Sequence, residues 1–201
     1  MRRVRLWIWL GVLVWSGLAG CGRLPTDVQL TPGFADPESE YGRALARYTR
    51  NVELYEGLDT VAKGWATWRV PALRRALAEA SIHAYGLKGA AAEGLRKEAE
   101  AAGRRAREFY LALYTPSKGL NDLESSDSLW RISLELPDGS RLAPVQVVCV
   151  PKSDKSAVQY PYVSPWTREY SVTFPLPEGE EKLDRLALLL SGPLGKMRFE
   201  Y

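Results

Sequence analysis

Short stretches in which apolar and polar residues alternate recur along most of the chain, and a period of two is typical of half-buried β-strands. The alternation predicts a strand pair over 44–70, joined at the turn Glu56-Gly57-Leu58-Asp59. A helix over 41–55 competes with the first of these strands, because helix and strand propensities there are mixed. Further strands are predicted over 109–115, 129–136, 169–174, 185–190 and 196–201.

One apolar run does not alternate. Val145 to Val150 is apolar on both faces, which predicts a strand in the centre of a sheet. The segment that follows, 151–166, contains Pro151, Pro161 and Pro165, and we predict a loop there.

Between the second and third predicted strands the period changes to that of a helix. Pro71 suits the first turn of a helix, and apolar residues then recur on one face as far as Leu87. A second helix is predicted from about Ala90 to Arg105. The two form an antiparallel helical hairpin whose apolar seam is expected to pack on the sheet, with a partner-binding helix pair as the alternative.

Many short strands separated by Pro and Gly turns favour an antiparallel β-sandwich. We therefore predict a mainly β, α+β fold of about eight strands with a two-helix insert after the second strand. The predicted organisation is a leader over 1–20, a tether over 21–40 and one domain over 41–201. The helical hairpin occupies about 71–106 of that domain.

The first residues of the chain have the pattern of a secretory signal. Arg2, Arg3 and Arg5 precede the apolar run Leu6–Trp15, and small residues follow it. The apolar run is shorter than the roughly 18–20 residues that span a bilayer.

The leader ends in Leu18-Ala19-Gly20-Cys21, which resembles the lipobox of bacterial lipoproteins at every position. The resemblance implies that Cys21 carries lipid and becomes the first residue of the mature chain, anchored in a membrane. Gly22 stands where an Asp in this class commonly marks inner-membrane retention, so the outer membrane is the expected location. The mature domain resembles uncharacterised lipoproteins with an immunoglobulin-like sandwich.

Charge and cysteine content narrow the function classes. The formal net charge of +3 equals the charge of the three leader arginines, so the mature chain is near neutral, and nothing favours nucleic acid as a partner. Cys149 has no second cysteine to pair with once Cys21 is lipidated, and its valine neighbours predict burial.

Candidate catalytic and metal-binding residues are few. His83 is the single histidine, and no nucleophile motif accompanies it, so an enzyme is disfavoured and no cofactor is expected. Asp122, Glu124 and Asp127 form an acidic loop that is a calcium candidate, with Asp154 as a possible helper, although a solvated loop is the competing interpretation.

Aromatic residues offer the better candidate surface. Trp166, Tyr160 and Tyr162 fall in the proline-containing segment, and exposed aromatic rings anchor protein partners or stack on sugars. Trp65 lies at a polar position of its predicted strand. The sequence thus predicts a lipid-anchored, non-enzymatic accessory protein that binds another envelope protein. A binder of envelope polysaccharide or peptidoglycan is the alternative.

Overall fold

A computed structural model describes residues 33–103, 106–175 and 185–201. The predicted leader, its lipobox and Cys21 lie outside these residues. Residues 33–201 form one compact unit. No helix of the described part is both long and apolar enough to cross a membrane.

The described residues form nine strands and four α-helices. The strands are β1 (Thr49–Glu56), β2 (Asp59–Trp68), β3 (Arg107–Tyr114), β4 (Arg131–Glu135), β5 (Arg141–Leu142), β6 (Gln146–Val150), β7 (Arg168–Phe174), β8 (Ala187–Gly192) and β9 (Gly195–Glu200). The helices are α1 (Glu40–Tyr48), α2 (Pro71–Ala84), α3 (Gly89–Gly103) and α4 (Asp154–Gln159).

The strands form two antiparallel sheets, which confirms the predicted α+β sandwich. The first sheet has the order β1-β2-β3-β7-β6 and the second the order β5-β4-β8-β9. Alternate side chains of both sheets point inward and form one apolar core, including Phe109, Leu111, Tyr170, Leu188 and Phe199. The period-two pattern of the sequence is the origin of this core, because successive strand residues face opposite sides.

Gly64 on β2 lies at a point of close contact with the second sheet. A methyl group added there would lie 2.8 Å from Phe199 Cζ and 2.9 Å from Met197 Cε on β9. A side chain at this position would therefore have to displace the ends of these two side chains.

The outer face of the first sheet is also covered. Tyr110 of β3 packs with Tyr41 and Leu45 of α1, Leu73 and Ala76 of α2, and Tyr160, and together these form a second buried cluster. Helix α3 packs on α2. The predicted contact between the hairpin and the sheet is thus seen for α2, while α3 packs on α2.

The structure corrects the sequence predictions in four places. Residues 44–48 belong to helix α1, not to a strand; Ser39 caps that helix and the strand begins only at Thr49. β6 lies at the edge of the first sheet rather than at its centre, with Val145 just before it 65% exposed. Cys149 on β6 is half-buried, not buried. Helix α4 interrupts the predicted loop 151–166.

Part of the predicted tether is packed onto the domain. Phe34 makes an edge-to-face contact with Tyr41, at 5.5 Å between ring centroids. Ser39 donates through its hydroxyl to the carbonyl of Asp36 at 2.7 Å. Residues 33–39 therefore form the entry to helix α1.

A partly buried ion cluster joins the helices to the sheet. Glu108 of β3 accepts hydrogen bonds from Arg69, Arg74 and Ser171, with Arg69 Nη1 at 2.7 Å and Ser171 Oγ at 2.8 Å. Burial by itself raises the pKa of Glu108, but the two arginines and the hydrogen bonds from Arg74 and Ser171 outweigh it and hold the pKa below its ordinary value.

We expect Glu108→Gln to lower the free energy of unfolding by about 3 kcal/mol, because two guanidinium groups lose their carboxylate in a desolvated setting. The folded-state pKa is depressed, so the ionised carboxylate stabilises the fold above its unfolded pKa, and this stability is lost as pH falls through the folded pKa. Urea denaturation at neutral and at acid pH should therefore show a difference between wild type and variant that shrinks on acidification.

Glu135→Gln is the matched control, because Glu135 also pairs with two arginines and is about as exposed as Glu108, but its partners Arg141 and Arg198 are more exposed than Arg69 and Arg74. Its effect should be smaller than that of Glu108→Gln. Equal losses for the two variants would show that burial of the Glu108 cluster is unimportant.

Gly64→Ala should destabilise the protein by about 1–3 kcal/mol, because the buried side chains of Met197 and Phe199 must shift to admit a methyl group. Gly94→Ala is the control: Gly94 lies in helix α3 with open space around its added Cβ. That change should raise stability by about 0.5–1 kcal/mol through helix propensity. Thermal unfolding of both variants tests the pair, and a neutral Gly64→Ala would contradict the close approach of the sheets.

Candidate functional site

An open aromatic cleft lies on the outer face of the first sheet. Trp65, Tyr114, Ser164, Trp166 and Thr167 line it, and its volume is about 430 Å³. Trp65 comes from β2, Tyr114 from the end of β3, and the other three from the segment just before β7. We call this feature the aromatic cleft.

Strand register explains how Trp65 reaches the cleft. Ala112 of β3 pairs with Trp65 on one side and with Glu169 of β7 on the other. Directly paired residues share a face, so these three form one row across the outer face. Ala112 has a small side chain, which leaves room for the large rings beside it.

A tight turn presents Trp166. Ser164 N–H donates to Thr167 Oγ1 at 3.0 Å, and Thr167 Oγ1 donates to the Ser164 carbonyl at 2.9 Å. Trp166 N–H donates to Ser164 Oγ at 3.3 Å. The turn is held by its own hydroxyl groups, and the Trp166 side chain is left 75% exposed.

The opposite wall of the cleft is held from beneath. Trp65 lies nearly parallel to Tyr162, at 6.3 Å between ring centroids and 6° between planes. The Tyr162 hydroxyl is 2.6 Å from Thr67 Oγ1, which fixes that ring to β2. Burial raises the pKa of Tyr162 well above its ordinary value, so the hydroxyl stays protonated at physiological pH.

A buried carboxylate belongs to the row next to the cleft. Glu169 is 1% exposed, and one of its oxygens accepts a hydrogen bond from the Tyr110 hydroxyl. The other oxygen has no hydrogen-bond partner among the described residues. Tyr160 stacks on Tyr110 at 3.9 Å between ring centroids.

The three aromatic residues predicted as a contact surface have different locations. Trp166 is exposed as predicted, whereas Tyr160 is 4% exposed and packs inside the second cluster, so the prediction that it offers contact surface is wrong. Tyr162 is half-buried and supports Trp65 from below. Both tyrosines follow helix α4, which the sequence analysis missed, and the chain after it turns them inward.

The aromatic residues that line the cleft beside Trp166 are Trp65 and Tyr114, not the predicted Tyr160 and Tyr162. The sequence contained a signal for Trp65, because a tryptophan at a polar position of an alternating strand must lie on the outer face. Tyr114 carried the same signal, because it alternates with the inward-facing Leu111 and Leu113; its place beside Trp65 follows from the register of β2 and β3.

The three carboxylates of the acidic loop do not form a cluster among the described residues. Glu124 Oε1 is paired with Arg168 Nη2 at 2.5 Å, and Asp127 accepts from the Ser126 hydroxyl at 3.4 Å. Asp122 lies in the same loop, and Asp154 begins helix α4. Within residues 33–103, 106–175 and 185–201, no group of three or more His, Cys, Asp or Glu residues could hold a metal ion.

The remaining candidates for chemistry lie on other elements than the cleft. His83 is exposed in the last turn of α2, and Cys149 is half-buried on β6. The five side chains that line the cleft contain no carboxylate, imidazole, amine or thiol group. The cleft is therefore chemically suited to binding by stacking and apolar contact.

No protein-family model matches the sequence, and no curated protein and no solved structure is significantly similar to it.

Proposed function

We propose that this chain is a lipid-anchored cell-envelope protein, an accessory or structural component that binds another envelope protein through the aromatic cleft. The observation that carries the proposal is the exposure of Trp166 beside Trp65 and Tyr114. Aromatic side chains of this kind dominate protein interfaces, because they bury a large area at a low cost in conformational entropy.

The hydrogen bonds within the cleft favour a protein ligand over a sugar. The hydroxyl groups of Ser164 and Thr167 already bond within their own turn. A sugar that enters a cleft loses water from many hydroxyl groups, and each needs a new partner. An apolar side chain of a protein has no such requirement.

Envelope polysaccharide or peptidoglycan is the second candidate ligand. The indole N–H groups of Trp65 and Trp166 and the hydroxyl of Tyr114 have no hydrogen-bond partner within the described residues. These groups would serve a sugar that stacks on the rings. The cleft contains too few such groups to make this the leading proposal.

In this proposal, lipid attachment at Cys21 holds the protein at the membrane where it meets its partner. A diacylated, N-acylated cysteine would hold the protein stably at a membrane, since two or more chains anchor where one does not. The proposed location is the periplasmic face of the outer membrane. Confinement there raises the effective concentration of the cleft for partners in the same membrane.

Photo-crosslinking in intact cells tests the ligand of the cleft. A photoreactive amino acid placed at Trp166 should capture one reproducible envelope protein, identified by mass spectrometry. The same amino acid at Tyr85, an exposed aromatic position at the end of α2, is the control and should not capture that protein. Recovery of glycan fragments instead would favour the second candidate, and identical captures at both positions would contradict the proposal.

With the partner identified, Trp166→Ala should weaken its binding at least tenfold, as expected for a central aromatic residue of an interface. The melting temperature should stay unchanged, because Trp166 contributes little buried area. Tyr85→Ala should change neither the affinity nor the stability.

Cys21→Ser tests the anchor independently of the cleft. We expect the variant to move from the membrane fraction to the soluble fraction, because serine cannot form the thioether with lipid. Mass spectrometry of the wild type should show the added acyl groups. A variant that stays in the membrane fraction, together with a wild type of unmodified mass, would contradict lipid attachment.

A further inference from the structure

A second cavity, distinct from the aromatic cleft, lies between the helical hairpin and helix α4. It has a volume of about 230 Å³. Residues of α2, α3 and α4 form its walls, and Arg69, just after β2, contributes to its lining. We call it the hairpin cavity.

One end of the hairpin cavity has an excess of positive charge. Arg69 and Arg74 both line it, and both bind the single carboxylate of Glu108. Two guanidinium groups thus share one negative charge, although the Arg74 side chain is only 8% exposed. Lys155 of α4 adds a third cation to the lining, and Glu98 of α3 adds one anion.

The arginines keep donors for a ligand. Arg74 uses Nε for the Arg69 carbonyl at 3.0 Å and Nη2 for Glu108. Its Nη1 has no hydrogen-bond partner among the described residues, and it is not one of the side-chain atoms that are sealed from solvent. This nitrogen is therefore accessible from the cavity that its side chain lines.

The rest of the lining is mostly apolar. Leu77 and Ala78 of α2 and Leu95, Ala99 and Ala102 of α3 all line the cavity on the side of the hairpin. Ser81 adds no free donor, because its hydroxyl already donates to the Leu77 carbonyl at 2.8 Å. The hairpin cavity thus combines a cationic end with an aliphatic wall.

We propose that the hairpin cavity is a binding site for a short aliphatic carboxylate, whose carboxylate pairs with Arg74 and Arg69 and whose chain lies against Leu77, Leu95 and Ala99. A guanidinium group matches the planar carboxylate in geometry, and the ligand supplies the missing negative charge. The cavity has room for the volume of about seven or eight waters, which limits the chain to a few carbons.

Two sources would supply this chemistry: a free short-chain acid, or the C-terminal carboxylate of a peptide with an aliphatic last residue. Hexanoate and N-acetyl-leucine are the respective probes. Hexanamide and N-acetyl-leucinamide have the same shapes without the charge. Inorganic phosphate tests whether negative charge alone is enough.

Isothermal titration calorimetry of the full chain in detergent should show at least tenfold tighter binding of an acid than of its amide. Preference for hexanoate or for N-acetyl-leucine distinguishes the two sources. Equal binding of acid and amide, or no binding of either acid, would overturn the proposal. Phosphate bound as tightly as the acids would overturn the contribution of the aliphatic wall.

Two variants place the ligand without removing the arginines that support the fold. Ala99→Leu fills the aliphatic half and should weaken binding of the acids at least tenfold. Lys155→Gln should weaken it about two- to fivefold, as for an exposed charge. Lys97→Gln is the matched control, since Lys97 pairs with Glu93 on the exposed side of α3.

Unchanged affinity in Ala99→Leu would place the ligand elsewhere and overturn the proposal. An equal loss of affinity in Lys97→Gln and Lys155→Gln would show that only the overall charge of the protein affects binding. That result would also count against the site. None of these variants changes a residue of the aromatic cleft. Failure of the carboxylate proposal therefore leaves the proposed partner binding unaffected, and failure of partner binding leaves the carboxylate proposal unaffected.

Discussion

The Glu108 ion cluster is the constraint on which the outer face of the first sheet depends. A carboxylate and two guanidinium groups are costly to remove from water, and they remain there only because each meets an opposite charge or a hydrogen-bond partner. Arg69 follows β2 and Arg74 lies in α2, so the cluster fixes where the helical hairpin begins on the sheet. Tyr41, Tyr110 and Tyr162 pack in the layer beside it, and the hydroxyl group of each is hydrogen-bonded.

The outer face of the first sheet is only partly covered by helices, and the uncovered part is where a ligand has access. Helices α1 and α2 and the chain around Tyr160 bury the part of the outer face near Tyr110. The adjoining part, at Trp65 and Tyr114, is bordered instead by the Ser164–Thr167 turn, which presents Trp166 to solvent. The aromatic cleft thus lies where the covering of the sheet ends. It is formed by strands and by a hydrogen-bonded turn, which favours a preorganised site.

Local pattern predicted most of the fold and little of the site. Alternation gave the two-sheet architecture, because burial of one strand face is a property of each strand by itself. Alternation could not predict the position of β6. Val147 packs on the core and Val150 packs on the second cluster, so this edge strand has apolar residues on both faces. The cleft joins residues distant in sequence, and only strand register brings Trp65 beside the turn of Trp166.

The two candidate sites differ in a way that fits a membrane-anchored protein. The cleft has no charged side chain in its lining, so it gains nothing from long-range electrostatic steering, and a freely diffusing partner would find it slowly. The proposed anchoring in a shared membrane would remove this disadvantage by raising the effective concentration of the partner. The hairpin cavity has the opposite character, because its excess positive charge would attract an anion from solution and its volume of about 230 Å³ suits a small ligand. A neutral, open surface for the proposed anchored partner and a charged cavity for the proposed anion are therefore consistent with each other on one domain.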